Sequence, residues 1–358
     1  MLAGATCYIP ANGGDLTVTE QRTLAVGKLD MEFLAALLEQ YARADDERVV
    51  VGPRVGEDAL VLDFGDRFLV VKTDPITFAT DEIGWYAVNV NANDIATTGA
   101  TCRWFLATLL LPEGRTTEQL VETIFAQLSQ ACRSLDVALC GGHTEITYGL
   151  DRPIVVGQML GEVEREALVT TDGMRVGDDI ILTKGIAIEG TAIIAREKAD
   201  TLASKFPPEF IARCQGFLHD PGISVVAEAR LATAQACIHA MHDPTEGGVA
   251  TGLRELALAS GLGLVVDEDR LDILPETALL CAEFGLDPLG LIASGSLLMA
   301  LTPQDSSGVV QCLRQAGIAA SVIGKVVDQA GGMQLIRHGR PEPLPVFERD
   351  EITRLFEG

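Results

Sequence analysis

Residues 83–100, which read IGWYAVNVNANDIATTGA, decide how the first half of the chain is built. Their apolar side chains, among them Ile83, Ala87 and Ile95, fall on one helical face and predict a helix over 83–98. Apolar runs on both sides of the segment predict strands. The resulting order of strand, helix and strand is typical of an α/β domain.

Asparagine recurs inside this predicted helix, although it is a poor helix former. Asn89, Asn91 and Asn93 are followed by Asp94, whose carboxylate lies among apolar neighbours. A buried carboxylate without a partner costs several kcal/mol. We therefore expect Asp94 to bind a cation or to accept hydrogen bonds, with helix capping as the alternative.

The same alternation continues along the chain. Apolar runs predict strands over 68–72, 102–111 and 137–140, the last of them stopped by the glycine pair that follows. In the second half, an alanine-rich stretch predicts a helix over 221–236, and a further helix is expected over 247–260. Both halves thus indicate α/β structure.

Two domains are expected, because 358 residues exceed the size at which single cores usually stop growing. The charged, glycine-containing stretch over 163–179 predicts the junction between them. The predicted domains are 1–165 and 166–358, each of them α/β.

The composition limits the possible partners. The chain has 27 Lys and Arg against 51 Asp and Glu, a formal net charge of −24, which disfavours nucleic acid and anionic membranes. There is no signal-peptide pattern, and the longest uncharged stretch, 288–304, is too short for a membrane helix. Eight cysteines without a CxxC pair indicate reduced, mostly buried thiols. We expect a soluble, cytoplasmic protein.

Four further stretches place an acidic side chain beside glycine or a small polar residue: 56–59 (GEDA), 73–74 (TD), 141–145 (GGHTE) and 242–248 (HDPTEGG). Carboxylates from several such places can hold Mg²⁺ against a polyphosphate. Neighbouring glycines let backbone N–H groups approach the phosphate oxygens. Because a free nucleotide is itself an anion, Mg²⁺ with ATP is the simplest common ligand.

Each stretch also has a purely structural interpretation. Asp58 can belong to a solvated turn, and Asp74 can end a strand before a proline. The glycine pair at 141–142 can form a tight turn. Asp243 or Thr245 can cap the helix that follows.

Taken together, the motifs resemble those of the AIR synthase superfamily, most closely the branch of the hydrogenase maturation factor HypE. The resemblance rests on GKL at 27–29, GEDALVLDFGD at 56–66, TGAT at 98–101, TKGIAIEGTAIIA at 183–195 and HDPTEGGVATGLRELA at 242–257. It implies an N-terminal sheet that joins the sheet of a second subunit in a β-barrel, and a C-terminal α/β domain that closes over the nucleotide. Members use ATP to activate an oxygen of their substrate, or phosphorylate an acceptor directly.

The resemblance also implies roles for single residues, with a solvated Lys28 and a structural His143 as alternatives. The implied metal ligands are Asp58, Asp74, Asp94, Glu145 and Asp243. The implied nucleotide contacts are Lys28, Thr73, Gly141, Gly142, His143 and Thr144. The resemblance further implies that ATP and Mg²⁺ are the cofactors, that the chain pairs with itself as a homodimer, and that the acceptor is a small molecule or a partner protein.

Two features depart from the HypE pattern. HypE proteins end in Pro-Arg-Ile-Cys, whereas this sequence ends ITRLFEG and its last cysteine is Cys312. Glu246 stands where HypE proteins tend to have arginine.

We expect an ATP-dependent enzyme of unassigned substrate, with a small-metabolite kinase and a nucleotide-binding maturation partner without turnover as alternatives. Selenophosphate synthesis is disfavoured, since the reactive Cys and Lys pair is not matched around Cys7.

Overall fold

The structure, a computed structural model, describes residues 24, 29, 31–42, 46–53, 57, 59–77 and 81–356. Lys28 and Asp58 lie outside the described residues, so their roles stay predictions. The first element among the described residues is helix α1 (Met31–Tyr41).

A six-stranded sheet forms the first half of the described chain. Its strands are β1 (Val49–Val51), β2 (Leu60–Asp63), β3 (Arg67–Ile76), β4 (Thr101–Pro112), β5 (Ala138–Thr147) and β6 (Ile154–Glu164). They lie in the order β1-β2-β3-β6-β4-β5, and all neighbours are antiparallel except β4 and β5. Strand β5 therefore forms one edge of the sheet.

Two helices, α2 (Ile83–Thr97) and α3 (Glu118–Ser134), pack on one face of this sheet. Every residue of α2 except Trp85 is buried. Glycines in β6 let α2 lie directly on the strand, because a Cβ at Gly157 would come within 2.3 Å of Asn91 Nδ2. This close approach brings the polar residues of α2 against the sheet.

A seven-stranded sheet forms the second half. Its strands are β7 (Asp179–Thr183), β8 (Ile238–His242), β9 (Gly263–Asp267), β10 (Leu298–Leu301), β11 (Ala320–Val327), β12 (Met333–Arg337) and β13 (Arg340–Pro343). They lie in the order β13-β12-β9-β11-β7-β10-β8, with only the β9–β12 pair parallel.

Seven helices accompany the second sheet in the described chain. They are α4 (Ile188–Glu197), α5 (Ala199–Leu202), α6 (Pro208–Gly216), α7 (Val226–Gln235), α8 (Gly248–Ser260), α9 (Pro275–Phe284) and α10 (Pro303–Gln315). Helix α2 packs against this half as well, since Ala96 shares a buried cluster with Val225 and Ala229 of the second half. The two halves are thus in contact through α2.

Two predicted boundaries are wrong. The glycine pair does not stop a strand, because β5 continues through it to Thr147, with a bulge opposite Phe105 and Leu106 of β4. The helix expected over 221–236 begins only at Val226. Gly222 has a φ of 86°, and the residues after it bond to side chains from other elements instead of forming helical turns.

All seven described cysteines are free, and four of them, Cys102, Cys132, Cys214 and Cys281, are buried, as the sequence predicts. Within the described residues, no helix combines the length and the apolar character needed to cross a membrane.

Candidate functional site

A polar cluster under α2 joins Lys72, Asp74 and Asp94. Side chains alternate between the faces of a strand, and Phe68 and Val70 of β3 lie in the core beneath α2, so Lys72 and Asp74 point the same way. Lys72 Nζ lies 3.0 Å from Asp94 Oδ2 and 3.7 Å from Asp74 Oδ2. The structure thus brings two of the predicted metal ligands together around one cationic group.

Lys72 was not among the predicted site residues, although the sequence holds a signal for it. It precedes Asp74 by two positions in a strand whose buried side chains share its face. An ammonium on such a face needs an anionic partner, since its side chain is only 15% exposed. A lysine in that register therefore indicates a nearby carboxylate cluster.

Neither carboxylate occupies the position that its structural interpretation requires, which is the end of a strand for Asp74 and a helix cap for Asp94. Asp74 does not follow a strand, because β3 continues to Ile76. Asp94 does not cap α2, whose N-cap is Glu82 and whose C-cap is Thr98. Asp94 lies inside the helix with a side chain that is 7% exposed.

The asparagines of α2 serve different contacts. Asn91 Nδ2 donates to Ala87 O at 2.8 Å and to Asp74 O at 3.3 Å, while its buried Oδ1 has no hydrogen-bond partner in the described chain. Asn93 faces the second half, where its Nδ2 donates to Ile223 O and its Oδ1 accepts from Val225 N, both at 2.8 Å. Asn91 therefore belongs to the polar cluster, and Asn93 joins the two halves.

The donor set under α2 fits Mg²⁺. Carboxylate and amide oxygens are the ligands that hard divalent cations prefer. Asp74 and Asp94 supply two carboxylates, and Asn91, whose Nδ2 donates to Asp74 O, carries a buried acceptor in its Oδ1. Among the residues that the structure describes, no three His, Cys, Asp or Glu side chains are grouped to hold a metal. The described part of the chain thus offers two of the five predicted acidic ligands together.

The GGHTE motif lies on the exposed edge strand β5, away from this cluster. Gly142 pairs with Ala107 of β4, Ala107 with Gly157 of β6, and Gly157 with Asp74 of β3. Three strand spacings separate Gly142 from Asp74, about 14 Å. Within one chain, the motif and the carboxylate cluster are therefore separate.

The two residues of the motif with titratable side chains point to the sheet face opposite α2. His143 and Glu145 pair with Thr108 and Leu110, which alternate with the buried residues of β4. His143 Nε2 lies 3.5 Å from Glu145 Oε2, and both side chains are exposed. Glu145 thus lies beside His143 and is not part of the cluster that contains Asp74 and Asp94.

The two glycines of the motif differ in what they require. A Cβ at Gly142 would lie 1.8 Å from Ala107 O, so this glycine is needed for strand pairing. At Gly141 a Cβ would meet nothing within 4 Å. Thr144 is exposed on the same strand. Gly142 therefore has a structural role in strand pairing and not in the tight turn that was the alternative, while Gly141 borders open space.

Thr73 also points away from the cluster, since it lies between Lys72 and Asp74 in β3. Its hydroxyl donates to Gly157 O at 2.9 Å. The predicted nucleotide contacts Thr73 and His143 thus share the outer face of the sheet, whereas the two carboxylates share the face under α2.

Asp243 follows β8 directly and is 2% exposed. It does not occupy the N-cap of α8, because that position belongs to Gly247. The Gly247 N–H donates to Asp350 Oδ2 at 2.6 Å, so a carboxylate from the C-terminal segment satisfies this end of the helix. Burial raises the pKa of Asp350 to about 6.

The segment 222–225 is held from two sides. Lys184, which follows β7, donates from Nζ to Gly222 O at 3.0 Å and to Ser224 O at 2.6 Å, and pairs with Glu228 Oε1 at 2.7 Å. Burial lowers the pKa of Lys184, against the raising effect of Glu228. With Asn93 on the other side, the segment is fixed between α2 and the second sheet.

Two relatives with named functions resemble the chain over most of its length. A putative hydrogenase expression/formation protein of Methanocaldococcus jannaschii is 28% identical over 320 residues, which are 86% of this chain and 91% of the relative. The carbamoyl dehydratase HypE of Bradyrhizobium diazoefficiens is 30% identical over 281 residues, which are 76% of this chain and 78% of the relative.

Solved structures share the fold at lower identity. A chain of a HypE–HypF complex has a TM-score of 0.70 at 22% identity, over 88% of this chain and 99% of that chain. HypE in complex with ATP has a TM-score of 0.69 at 23% identity, over 91% and 97%. The structure of AaThiL complexed with AMPPCP and TMP has a TM-score of 0.67 at 18% identity, over 87% and 96%.

Family assignments cover both halves. The N-terminal domain of AIR synthase related proteins matches residues 56–163, and the C-terminal domain of the same proteins matches 175–335. These two matches contain the cluster under α2, the edge strand β5 and the loop that ends in Gly247. The two α/β halves are in contact through α2, and the motifs follow the expected order. On these matches, the chain belongs to the family of AIR synthase related proteins.

Proposed function

We propose that the chain is a Mg²⁺- and ATP-dependent enzyme that activates or phosphorylates an oxygen of its substrate, in the manner of HypE-like proteins. One observation carries the proposal, namely the convergence of the Asp74 and Asp94 carboxylates under α2, where Lys72 Nζ lies within 3.7 Å of both. Support comes from relatives named carbamoyl dehydratase and from the similar fold of HypE, a structure of which was solved in complex with ATP.

The chain's own residues would act by positioning and by charge neutralisation, which phosphoryl transfer requires more than a nucleophilic side chain. Bound Mg²⁺ would neutralise the phosphate oxygens of ATP. In this proposal the Asn91 amide oxygen assists the carboxylates that hold the cation. The proposed carboxylate ligands are Asp58, Asp74, Asp94, Asp243 and Glu145, and the last of these, which lies on the opposite face of the sheet, would be supplied by a second copy of the chain. The proposed nucleotide contacts are Lys28, Thr73, Gly141, Gly142, His143 and Thr144.

A homodimer is part of the same proposal. Strand β5 is exposed along its length, and an edge strand of ten residues offers a row of backbone groups for pairing. Apolar side chains that alternate with the buried residues of β4, among them Leu106 and Leu110, lie on the outer face beside His143 and Glu145. A second copy packed on this face would close a β-barrel and add these residues to a shared site. Sedimentation equilibrium measures the assembly.

The acceptor is proposed to be a small molecule or a group presented by a partner protein. The HypE–HypF complex favours a protein partner for that relative. The AaThiL fold, solved with AMPPCP and TMP, favours small-metabolite phosphorylation as the second candidate. The net charge of −24 supports action away from nucleic acid and anionic membranes, and we propose the cytoplasm as its location.

Asp94→Asn tests the proposal. We expect loss of Mg²⁺-dependent ATP binding, measured by calorimetry, with an unchanged circular dichroism spectrum, because the amide cannot neutralise the cation. Asp172→Asn is a matched control at an exposed position in the second half. ATP binding that is unchanged in Asp94→Asn would remove this residue from the site. Binding by the wild-type chain without phosphate release, across candidate acceptors, would favour the maturation-partner alternative.

A further inference from the structure

Lys72 occupies the place that a cation would take between the two carboxylates. Its Nζ lies within 3.7 Å of both Asp74 Oδ2 and Asp94 Oδ2, and its side chain is 15% exposed. The ammonium is thus a cation of the chain itself, held between the buried carboxylate of Asp94, which is 7% exposed, and that of Asp74, which is 38% exposed.

Lys72 and a divalent cation cannot share this position. Mg²⁺ binds carboxylate oxygens at about 2.1 Å, with near-octahedral geometry. An ammonium at 3.0 Å from Asp94 Oδ2 fills the space in which that coordination shell must form. Two carboxylates and one lysine carry one net negative charge, so exchange of the ammonium for Mg²⁺ also completes neutralisation of the pair.

We propose that Lys72 is a positioning residue that makes divalent metal binding conditional on the nucleotide. Without ATP, the ammonium holds Asp74 and Asp94 and competes with Mg²⁺. When Mg²⁺ arrives with ATP, the ammonium leaves the carboxylates and donates to a phosphate oxygen, for which its flexible stem and three donors suit it. The nucleotide half of this inference rests on the proposed function, whereas the competition with metal does not.

The competition is tested with metal alone on the full chain. In Lys72→Met, a side chain of similar length without the charge, we expect Mn²⁺ to bind at least tenfold more tightly than in wild type when no nucleotide is present. Electron paramagnetic resonance of free Mn²⁺ gives the affinity without any measurement of activity. A merely structural lysine would leave that affinity unchanged or weaken it on removal.

Three further variants locate the effect. Lys205→Met removes a lysine that pairs with Glu283 on the surface, and its Mn²⁺ affinity should match wild type. Lys72→Met combined with Asp94→Asn should lose the tighter binding, because one of the two carboxylates for which the ammonium and the metal compete is gone. Lys72→Gln replaces the methionine variant if that variant does not fold.

The part of the proposal that concerns the nucleotide is tested by measuring how much ATP changes the affinity for Mn²⁺. In wild type, ATP should tighten Mn²⁺ binding far more than in Lys72→Met, where the metal is already bound without it. Unchanged or weaker Mn²⁺ affinity in folded Lys72→Met or Lys72→Gln overturns the competition. If the wild-type chain binds no ATP, the proposed function fails, while the metal-only measurement still decides the competition.

Discussion

Replacing Asn93 with alanine should lower the free energy of unfolding by about 2–5 kcal/mol, because it opens a buried contact between the two halves. Its amide is fully buried, donates to Ile223 O and accepts from Val225 N, both at 2.8 Å. Each buried backbone group left without a partner costs about 1–3 kcal/mol. The better helix propensity of alanine recovers a fraction of about 0.5 kcal/mol.

Urea unfolding followed by tryptophan fluorescence measures this loss. The matched control is Asn89→Ala, a residue of the same type in the same helix, which is 1% exposed. Asn89 Nδ2 donates to Trp85 O within α2, and its Oδ1 has no hydrogen-bond partner in the described chain. We expect this control to lose less than about 1 kcal/mol, since no group outside the helix loses a bond.

The comparison has a clear refuting result. Equal losses in Asn93→Ala and Asn89→Ala would mean that the Asn93 contacts with Ile223 and Val225 do not hold the halves together. An altered dependence of unfolding on urea concentration in Asn93→Ala alone would instead report separate unfolding of the two halves, as a weakened junction predicts.

The remaining predictions concern a buried acid and the outer face. Burial raises the pKa of Glu189 from 4.5 to about 8, so the folded chain keeps a proton that the unfolded chain releases, and stability should fall as the pH rises between these values. Glu189→Gln should flatten that fall in urea midpoints measured from pH 5 to 8, and an identical slope in both proteins would contradict it. Leu106→Lys should convert the proposed dimer to a monomer in sedimentation equilibrium, because it places a charge on the outer face. Leu279→Lys, at an exposed position of α9, is its control, and a dimer that persists in Leu106→Lys excludes this face.

Helix α2 shows how far sequence reasoning reaches. The spacing of Ile83, Ala87 and Ile95 predicts the position of the helix within one residue. The cost of a buried carboxylate predicts that Asp94 binds a cation or accepts hydrogen bonds, and the structure places Lys72 Nζ 3.0 Å from it. Lys72 was not predicted to lie near Asp94. The alternation of side chains along β3 shows which residues share a face of the strand, but only the tertiary structure shows that α2 packs on that face.

Strand β5 shows where such reasoning fails. A glycine pair predicts a chain reversal from local preference alone, yet Gly141 and Gly142 lie inside a strand. The reason is tertiary, since Gly142 passes so close to Ala107 O of β4 that any Cβ would collide with it. Local composition cannot distinguish a glycine that turns the chain from one that lets two strands approach.

The sequence by itself determined the family and the two α/β halves, and it singled out the acidic residues that are proposed to bind metal, because short-range periodicity and motif order can be recognised along the chain. Only the tertiary structure decided which of those acids meet. Strand register and face place Asp74 and Asp94 around Lys72 and turn Glu145 to the opposite face, and these relations depend on contacts between residues distant in sequence.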